Sequence, residues 1–349
     1  MHVPSRGRAA AAAGGLLLAL AGAPAAASAA TADVAGGTTT LKLAPGTAKA
    51  LKALGVAVSP LRPAKAGKAG VSFPVTGGSV DAASGAGTIE HRGGLRLRAG
   101  GTTVDLRNFV INAGSTNTIG VRVGKAQVHA FRIGLDDAKV SRRGIQTVVG
   151  NVKVTLSARG AAALNKAFGV KAFKRGLRIG TASVRVRPGE LAFTGGSTSL
   201  ALDSGAAQAL TGLGVSVAPA APASAGDGGA IAFPITEGKL NARTLAGSIS
   251  HSGGLTFSAG ATSVTVRDFV IETSPTPKLT AALGGARVDL LTLDIGGLDR
   301  KVDGRDVTLG RVVVKLTAGA ASALNQAFDT TALAEGLTIG TATVRARVA

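Results

Sequence analysis

The chain of 349 residues contains no cysteine, no tyrosine and no tryptophan, and ten phenylalanines supply all of its aromatic surface. Without cysteine there are no disulfide staples, no thiol nucleophile and no Cys-ligated zinc or iron–sulfur centre. Without Tyr and Trp the chain lacks the side chains that most often anchor interfaces or stack on bases and sugars. The usual enzymatic signatures are missing too. There is no G-x-S-x-G elbow, no H-E-x-x-H, no Walker loop and no clean dinucleotide fingerprint. Asp203-Ser204-Gly205 looks like a protease serine context, but it stands just before a helical stretch, where Asp or Ser is the expected N-cap. Asp136-Asp137 falls at a turn after a strand and reads as a solvated turn rather than a glycosidase pair. The chain is therefore expected to be non-enzymatic, with neither a catalytic nor a metal site.

Apolar runs are short beyond the N-terminus. Arg6 and Arg8 precede the apolar stretch Ala9–Ala23, and Pro24 leads to the small-residue site Ala27-Ser28-Ala29. This is the layout of a secretory signal peptide over residues 1–29, with an h-region shorter than the roughly 20 residues needed to span a bilayer. No later segment reads as a membrane span, and the last residues, Arg345–Ala349, form no hydrophobic tail. A secreted or cell-envelope-associated protein is expected, not an integral one.

What the chain does have is a repeat with a period of about 160 residues. Phe73-Pro74-Val75-Thr76 returns as Phe233-Pro234-Ile235-Thr236, and Gly87–Leu95 as Gly247–Leu255. Asn108-Phe109-Val110-Ile111 returns as Asp268-Phe269-Val270-Ile271. Ala163-Leu164-Asn165-Lys166-Ala167-Phe168 returns as Ala323-Leu324-Asn325-Gln326-Ala327-Phe328. That period is one ordinary domain, too long for a solenoid unit. Two tandem domains follow, 38–188 and 191–349, meeting near Pro188-Gly189 through a link of about ten residues.

Within each copy, apolar and polar residues alternate, as in Gln127–Ile133 and Val152–Leu156, and Gly-rich breaks recur every 8–12 residues. Ala-rich stretches ended by Gly, such as Thr47–Gly55 and Ala161–Gly169, predict two short helices per copy. The pattern predicts a mainly β protein of two tandem antiparallel β-sandwich-like domains, each with two short Ala-rich helices.

Charge is shared unevenly. Residues 38–197 carry 25 Lys and Arg against 6 Asp and Glu, a balance of +19, whereas residues 198–349 carry 12 against 12. A basic first domain suits an anionic partner such as a cell-wall polymer, and composition drift with solubility accounts for the same pattern. Nucleic acid is not expected, because no aromatics interleave with the basic residues.

One titratable residue recurs in a distinctive setting: His91 and His251, each followed by x-Gly-Gly-Leu. A histidine beside glycines can mark a place where backbone approaches a ligand closely, which makes His91, Gly93, Gly94, His251, Gly253 and Gly254 the candidate ligand-binding residues. A turn histidine without a ligand fits the same pattern. His129 aligns with Asp289 and reads as an exposed strand residue.

Taken in order, these motifs resemble the HtaA domain family of exported actinobacterial heme-transport-associated proteins. The likeness rests on the Phe-Pro strands, Gly87–Leu95 with its histidine turn, Asn108–Ile111 and Leu279–Leu283. It ends with Val307–Leu309 and the strand and Ala-rich helix over Leu316–Ala321, so that it covers nearly all of both repeats. The resemblance implies a two-sheet sandwich and a role in heme capture, with heme held by an axial tyrosine and a nearby supporting histidine. Only the histidines carry over, to His91 and His251. The tyrosine has no counterpart, since neither Leu41-Lys42-Leu43 nor Leu200-Ala201-Leu202 offers a phenolate substitute. Heme or another small ligand is thus the partner the family implies. The alternative is a structural or adhesive envelope protein that has lost the heme site and binds anionic wall polymers through its first domain.

Overall fold

The computed structural model describes residues 31–81 and 84–349. The signal peptide expected over residues 1–29 lies outside the described residues.

The first copy runs β1 (Thr31–Leu43), α1 (Pro45–Ala53), β2 (Ala57–Leu61), β3 (Lys65–Gly67), β4 (Gly70–Asp81), β5 (Gly87–His91), β6 (Gly94–Ala99) and β7 (Thr102–Ala113). It continues through β8 (Thr118–Val123), β9 (Ala126–Gly134), β10 (Lys139–Arg143), β11 (Gln146–Leu156), α2 (Ala158–Phe168) and β12 (Arg178–Pro188). The second copy repeats that order as β13 (Glu190–Leu202), α3 (Ser204–Gly212), β14 (Ser216–Ala220), β15 (Ser224–Ala225), β16 (Ile231–Asn241), β17 (Gly247–His251) and β18 (Gly254–Ala259). It ends with β19 (Thr262–Glu272), β20 (Lys278–Leu283), β21 (Ala286–Asp294), β22 (Asp299–Asp303), β23 (Asp306–Leu316), α4 (Ala318–Ala327) and β24 (Thr338–Val348).

The protein is mainly β and antiparallel, but each copy is a closed barrel and not a sandwich. Pairing runs β7-β5-β4-β1-β12-β11-β9-β8, and β8 pairs back onto β7, so eight strands form a ring; the second copy repeats this through the β19–β20 pair. Closure depends on β7. Its first half pairs with β6 through Arg107, and its second half pairs with β5 from Val110 onward. A register shift between Arg107 and Val110 bends the strand at Asn108, which sits at φ 49°, a left-handed conformation that Asn and Asp tolerate best. Asp268 does the same in β19 at φ 52°. Alternation cannot tell a sandwich from a barrel, because both give each strand one buried face; a pairing that joins the two sheet edges decides it.

An eight-stranded ring is just wide enough for its own side chains to fill. In the first barrel Phe73, Phe109 and Phe131 meet at the centre with Val75, Ile111 and Val154. In the second, Phe233 and Phe269 pack edge-to-face at 5.0 Å, as Phe73 and Phe109 do. The helices lie outside the ring. Ser157 caps α2 by accepting from the Gly160 amide, and Gly169 ends that helix in the left-handed region. Asp203 caps α3, accepting from the amides of Gly205 and Ala206, in line with the cap reading of that residue.

Strand β1 begins at Thr31, well before residue 38, and only Gly189 separates β12 from β13, where a link of about ten residues was expected. The copies also touch directly. Gly189 donates to Asp33 O at 2.5 Å, Ala242 donates to Gly189 O at 2.7 Å, and the Arg142 guanidinium donates to Ala349 O at 2.8 Å.

Candidate functional site

His91 ends β5 with its side chain turned into the barrel, 4% exposed, and His251 ends β17 in the same way at 4%. Nδ1 of His91 lies 2.9 Å from Phe109 O, and Nε2 lies 2.6 Å from Thr39 Oγ1. In the second barrel the distances are 3.2 Å to Phe269 O and 2.7 Å to Thr198 Oγ1. A carbonyl only accepts, so Nδ1 carries the proton and donates; Nε2 is then the acceptor and the threonine hydroxyl donates to it. The bulge at Asn108 and Asp268 turns the following phenylalanine carbonyl toward the ring, which gives the repeated Asn/Asp-Phe-Val-Ile motif a physical reason.

Burial favours the neutral ring. Desolvation lowers the pKa of both histidines to about 4, and the hydrogen bond to the phenylalanine carbonyl offsets only part of this. Each histidine is thus a neutral, doubly bonded member of an apolar core.

The four glycines are tied to the same corner, and what approaches them is the protein's own backbone. Gly93 has φ +86°, and a Cβ there would stand 2.6 Å from the Ala64 nitrogen, in the turn between β2 and β3. A Cβ on Gly94 would run into the Leu106 carbonyl on β7. Gly253 and Gly254 meet Ala223 and the Val266 carbonyl in the same fashion. The structure therefore brings His91, Gly93 and Gly94 together at one corner, and His251, Gly253 and Gly254 at another, with side chains and chain packing that are satisfied internally. His129 lies exposed on β9 and joins neither cluster.

Thr39 and Thr198 complete the clusters and were not singled out from the sequence. Their signal is the recurrence of Gly36-Gly37-Thr38-Thr39 as Gly195-Gly196-Ser197-Thr198, with a threonine on the inward phase of the strand. Asn165 and Asn325 are a second pair of this kind. Each amide clamps the backbone of the following loop, Asn165 at both N and O of Phe173 and Asn325 at both N and O of Leu333.

Beside each histidine is a small apolar cavity, of about 50 Å³ in the first barrel and about 60 Å³ in the second. Pockets that enclose drug-sized ligands run from about 300 Å³ upward. Neither ring nitrogen presents a free lone pair, no tyrosine is available, and the space is far too small, so the residues at these two corners do not fit heme.

Two solved structures from Corynebacterium glutamicum resemble part of the chain. The C-terminal domain of HtaA shares 17% identity over 46% of this chain and 99% of that one, with a TM-score of 0.36. The heme-binding protein HtaB shares 11% identity over 45% of this chain and 95% of that one, with a TM-score of 0.30. The likeness is to HtaA-type domains. No family model matches the chain, and no curated protein matches it.

The outer surfaces of the barrels differ where the interiors agree. On the first, a groove of about 620 Å³ lies over β1, β12 and the start of β11, lined by Lys42, Arg185 and Arg187 above a floor of Thr38, Thr40, Thr181 and Ser183. At the positions of Lys42 and Gln146 the second barrel has Ala201 and Asp306, and there Asp306 pairs with Arg347 at 3.9 Å.

Proposed function

We propose that the protein is an exported, non-enzymatic binding protein of the cell envelope, with two HtaA-like barrels, whose basic first barrel holds it to an anionic wall polymer. One observation carries this reading. The barrels share their buried His–Thr–carbonyl corners almost atom for atom and differ in surface charge, so whatever distinguishes their roles acts from outside. The two histidines and their glycines then hold the barrel corner and contact no ligand.

The test is retention of the full chain on isolated cell wall across a salt series. Retention at low salt that is lost as the Debye length falls from about 10 Å at 0.1 M to about 3 Å at 1 M supports the reading. No retention at low salt sinks it.

The heme-related role implied by the family resemblance is the second reading, supported by the order of the shared motifs and not by the histidine corners, whose ring nitrogens are already bonded. Titration with hemin decides it. A Soret shift with defined stoichiometry that disappears in His91→Ala and His251→Ala would establish a histidine-dependent heme site. A spectrum that matches a non-binding control removes the reading.

A further inference from the structure

The groove on the first barrel is built from cross-strand rows. Thr181 on β12 is flanked by Lys42 on β1, which lines the groove, and by Lys153 on β11, which stands on the same outer face at its margin with its stem over Gly134 of β9. Arg185 and Arg187 follow on that face of β12, so positive charge extends from Thr181 to Arg187 over about 20 Å of strand. At the far end the second barrel adds to it. The guanidinium groups of Arg187 and Arg243 both come up to Gly36, where a Cβ would stand 3.1 Å from one and 4.0 Å from the other.

Among the described residues, none of these five cations is within ion-pair distance of a carboxylate. The floor between them is hydroxyl-bearing and without aromatic side chains. In the second barrel the same row is thinner, although Arg345 and Arg347 keep the places of Arg185 and Arg187. Thr341 is flanked by Ala201 and Val313, and Asp306 stands directly opposite Arg347.

We propose that this groove is the seat of an extended polyanion carrying phosphate groups along an aliphatic or inorganic backbone, threaded along β12 toward the junction with the second barrel. Cations in a row without carboxylate partners select a linear partner over a single anion, with Arg243 fixed at the end of the row by donating Nε and Nη2 to the Ala35 carbonyl. Hydroxyls on the floor donate to phosphate oxygens, and the lack of any stacking surface disfavours a nucleic acid. The inference rests on the adhesive reading above and gives it a site and a ligand chemistry.

The experiment measures binding of the full chain to linear inorganic polyphosphate, to orthophosphate and to a single-stranded DNA oligomer of matched charge, each over a salt series. The groove variant Lys42→Ala/Lys153→Val/Gln146→Asp carries the residues that the second barrel has at those places, so the fold accommodates them. The control Lys125→Ala/Lys166→Gln/Lys171→Thr lowers the charge by the same three units elsewhere on the same barrel. The expected result is polyphosphate binding that weakens roughly tenfold in the groove variant, with a salt slope shallower by about 1 to 2, and changes by no more than about twofold in the control. Equal losses in variant and control would overturn the groove, since diffuse charge would then be the cause. Orthophosphate binding as tightly as the polymer, or DNA binding more tightly, would overturn the occupant. A chain that is retained on cell wall but does not bind polyphosphate overturns this inference and leaves the adhesive reading standing; a chain that binds neither loses both.

Discussion

The two barrels are a natural experiment in which the interior was held constant and the exterior was not. His91, Thr39 and Phe109 reappear as His251, Thr198 and Phe269, down to hydrogen bonds of 2.6 and 2.7 Å from threonine to the ring. The phenylalanine pairs have the same centroid distance, 5.0 Å. Outside, Lys42 and Lys153 stand where the second barrel has Ala201 and Val313. An interior packed to crystal-like density penalises a change of even one methylene, whereas most exposed positions change at little cost. The distinctive histidine corner therefore belongs with the conserved interior, and the partner-facing chemistry belongs with the divergent exterior.

The largest way to break the comparison is to empty one core and leave its twin. Phe109→Ala and Phe269→Ala each remove half of an edge-to-face pair from the centre of a filled ring, and each is expected to cost about 3 to 5 kcal/mol. Urea unfolding of the two variants should show similar losses. A loss below about 1 kcal/mol in either would mean that its barrel is not packed around that ring.

Acid should strike both barrels in one window. Each histidine has its pKa lowered to about 4 in the fold, against 6.5 when exposed, so between these values the unfolded chain binds more protons. The stabilisation is complete above pH 6.5 and is lost as pH falls toward 4, on the order of 3 kcal/mol per histidine. A thermal midpoint that falls between pH 6.5 and 4, and falls less in His91→Gln and His251→Gln relative to each variant's own value at pH 7, is the expected result. Asp105, lowered to about 2 chiefly by its hydrogen bond from Arg96, titrates below that window and does not confuse it.

Thr39→Val and Thr198→Val ask a finer question of the same corner. Each substitution keeps the side-chain shape and leaves a buried Nε2 acceptor without its donor, which costs about 1 to 3 kcal/mol. Comparable losses in both barrels, measured by urea unfolding, would confirm that the corner was duplicated as a unit. A cost in one barrel alone would show that the two corners have diverged.

These features were unequally legible in the sequence. The strand alternation, the helix caps and the pairing of the repeats are local or self-similar, and Asp203 could be read as a cap from its position alone. The histidine corner was visible as a recurrence, but its meaning was not. Its partners are a threonine on β1 and a carbonyl aimed by a bulge on β7, both remote along the chain, and the glycines that suggested a ligand make room for backbone. Barrel closure was hidden for the same reason, because it turns on how β7 divides its pairings among β5, β6 and β8, and no window of residues encodes that. The charge asymmetry was plain in the composition, whereas its arrangement into a row needed the register of three strands.

The smallest expected effect sharpens the comparison at a helix start. Ala44 precedes α1 with φ −68° and ψ 138°, and Asp203 precedes α3 with φ −67° and ψ 141°, so the two backbones are superimposable at the cap. Only Asp203 offers a side chain, accepting from the amides of Gly205 and Ala206; the corresponding amides in the first barrel, those of Gly46 and Thr47, have no side-chain acceptor at Ala44. Because the conformation is already that of a cap, Ala44→Asp should stabilise by about 1 kcal/mol, and Asp203→Ala should destabilise by about as much. The acid also sits at the positive end of the helix dipole, which works in the same direction. Opposite shifts of similar size in the urea midpoint are the expected outcome. A midpoint for Ala44→Asp at or below that of the parent chain would show that the two helix starts differ in something other than the missing carboxylate.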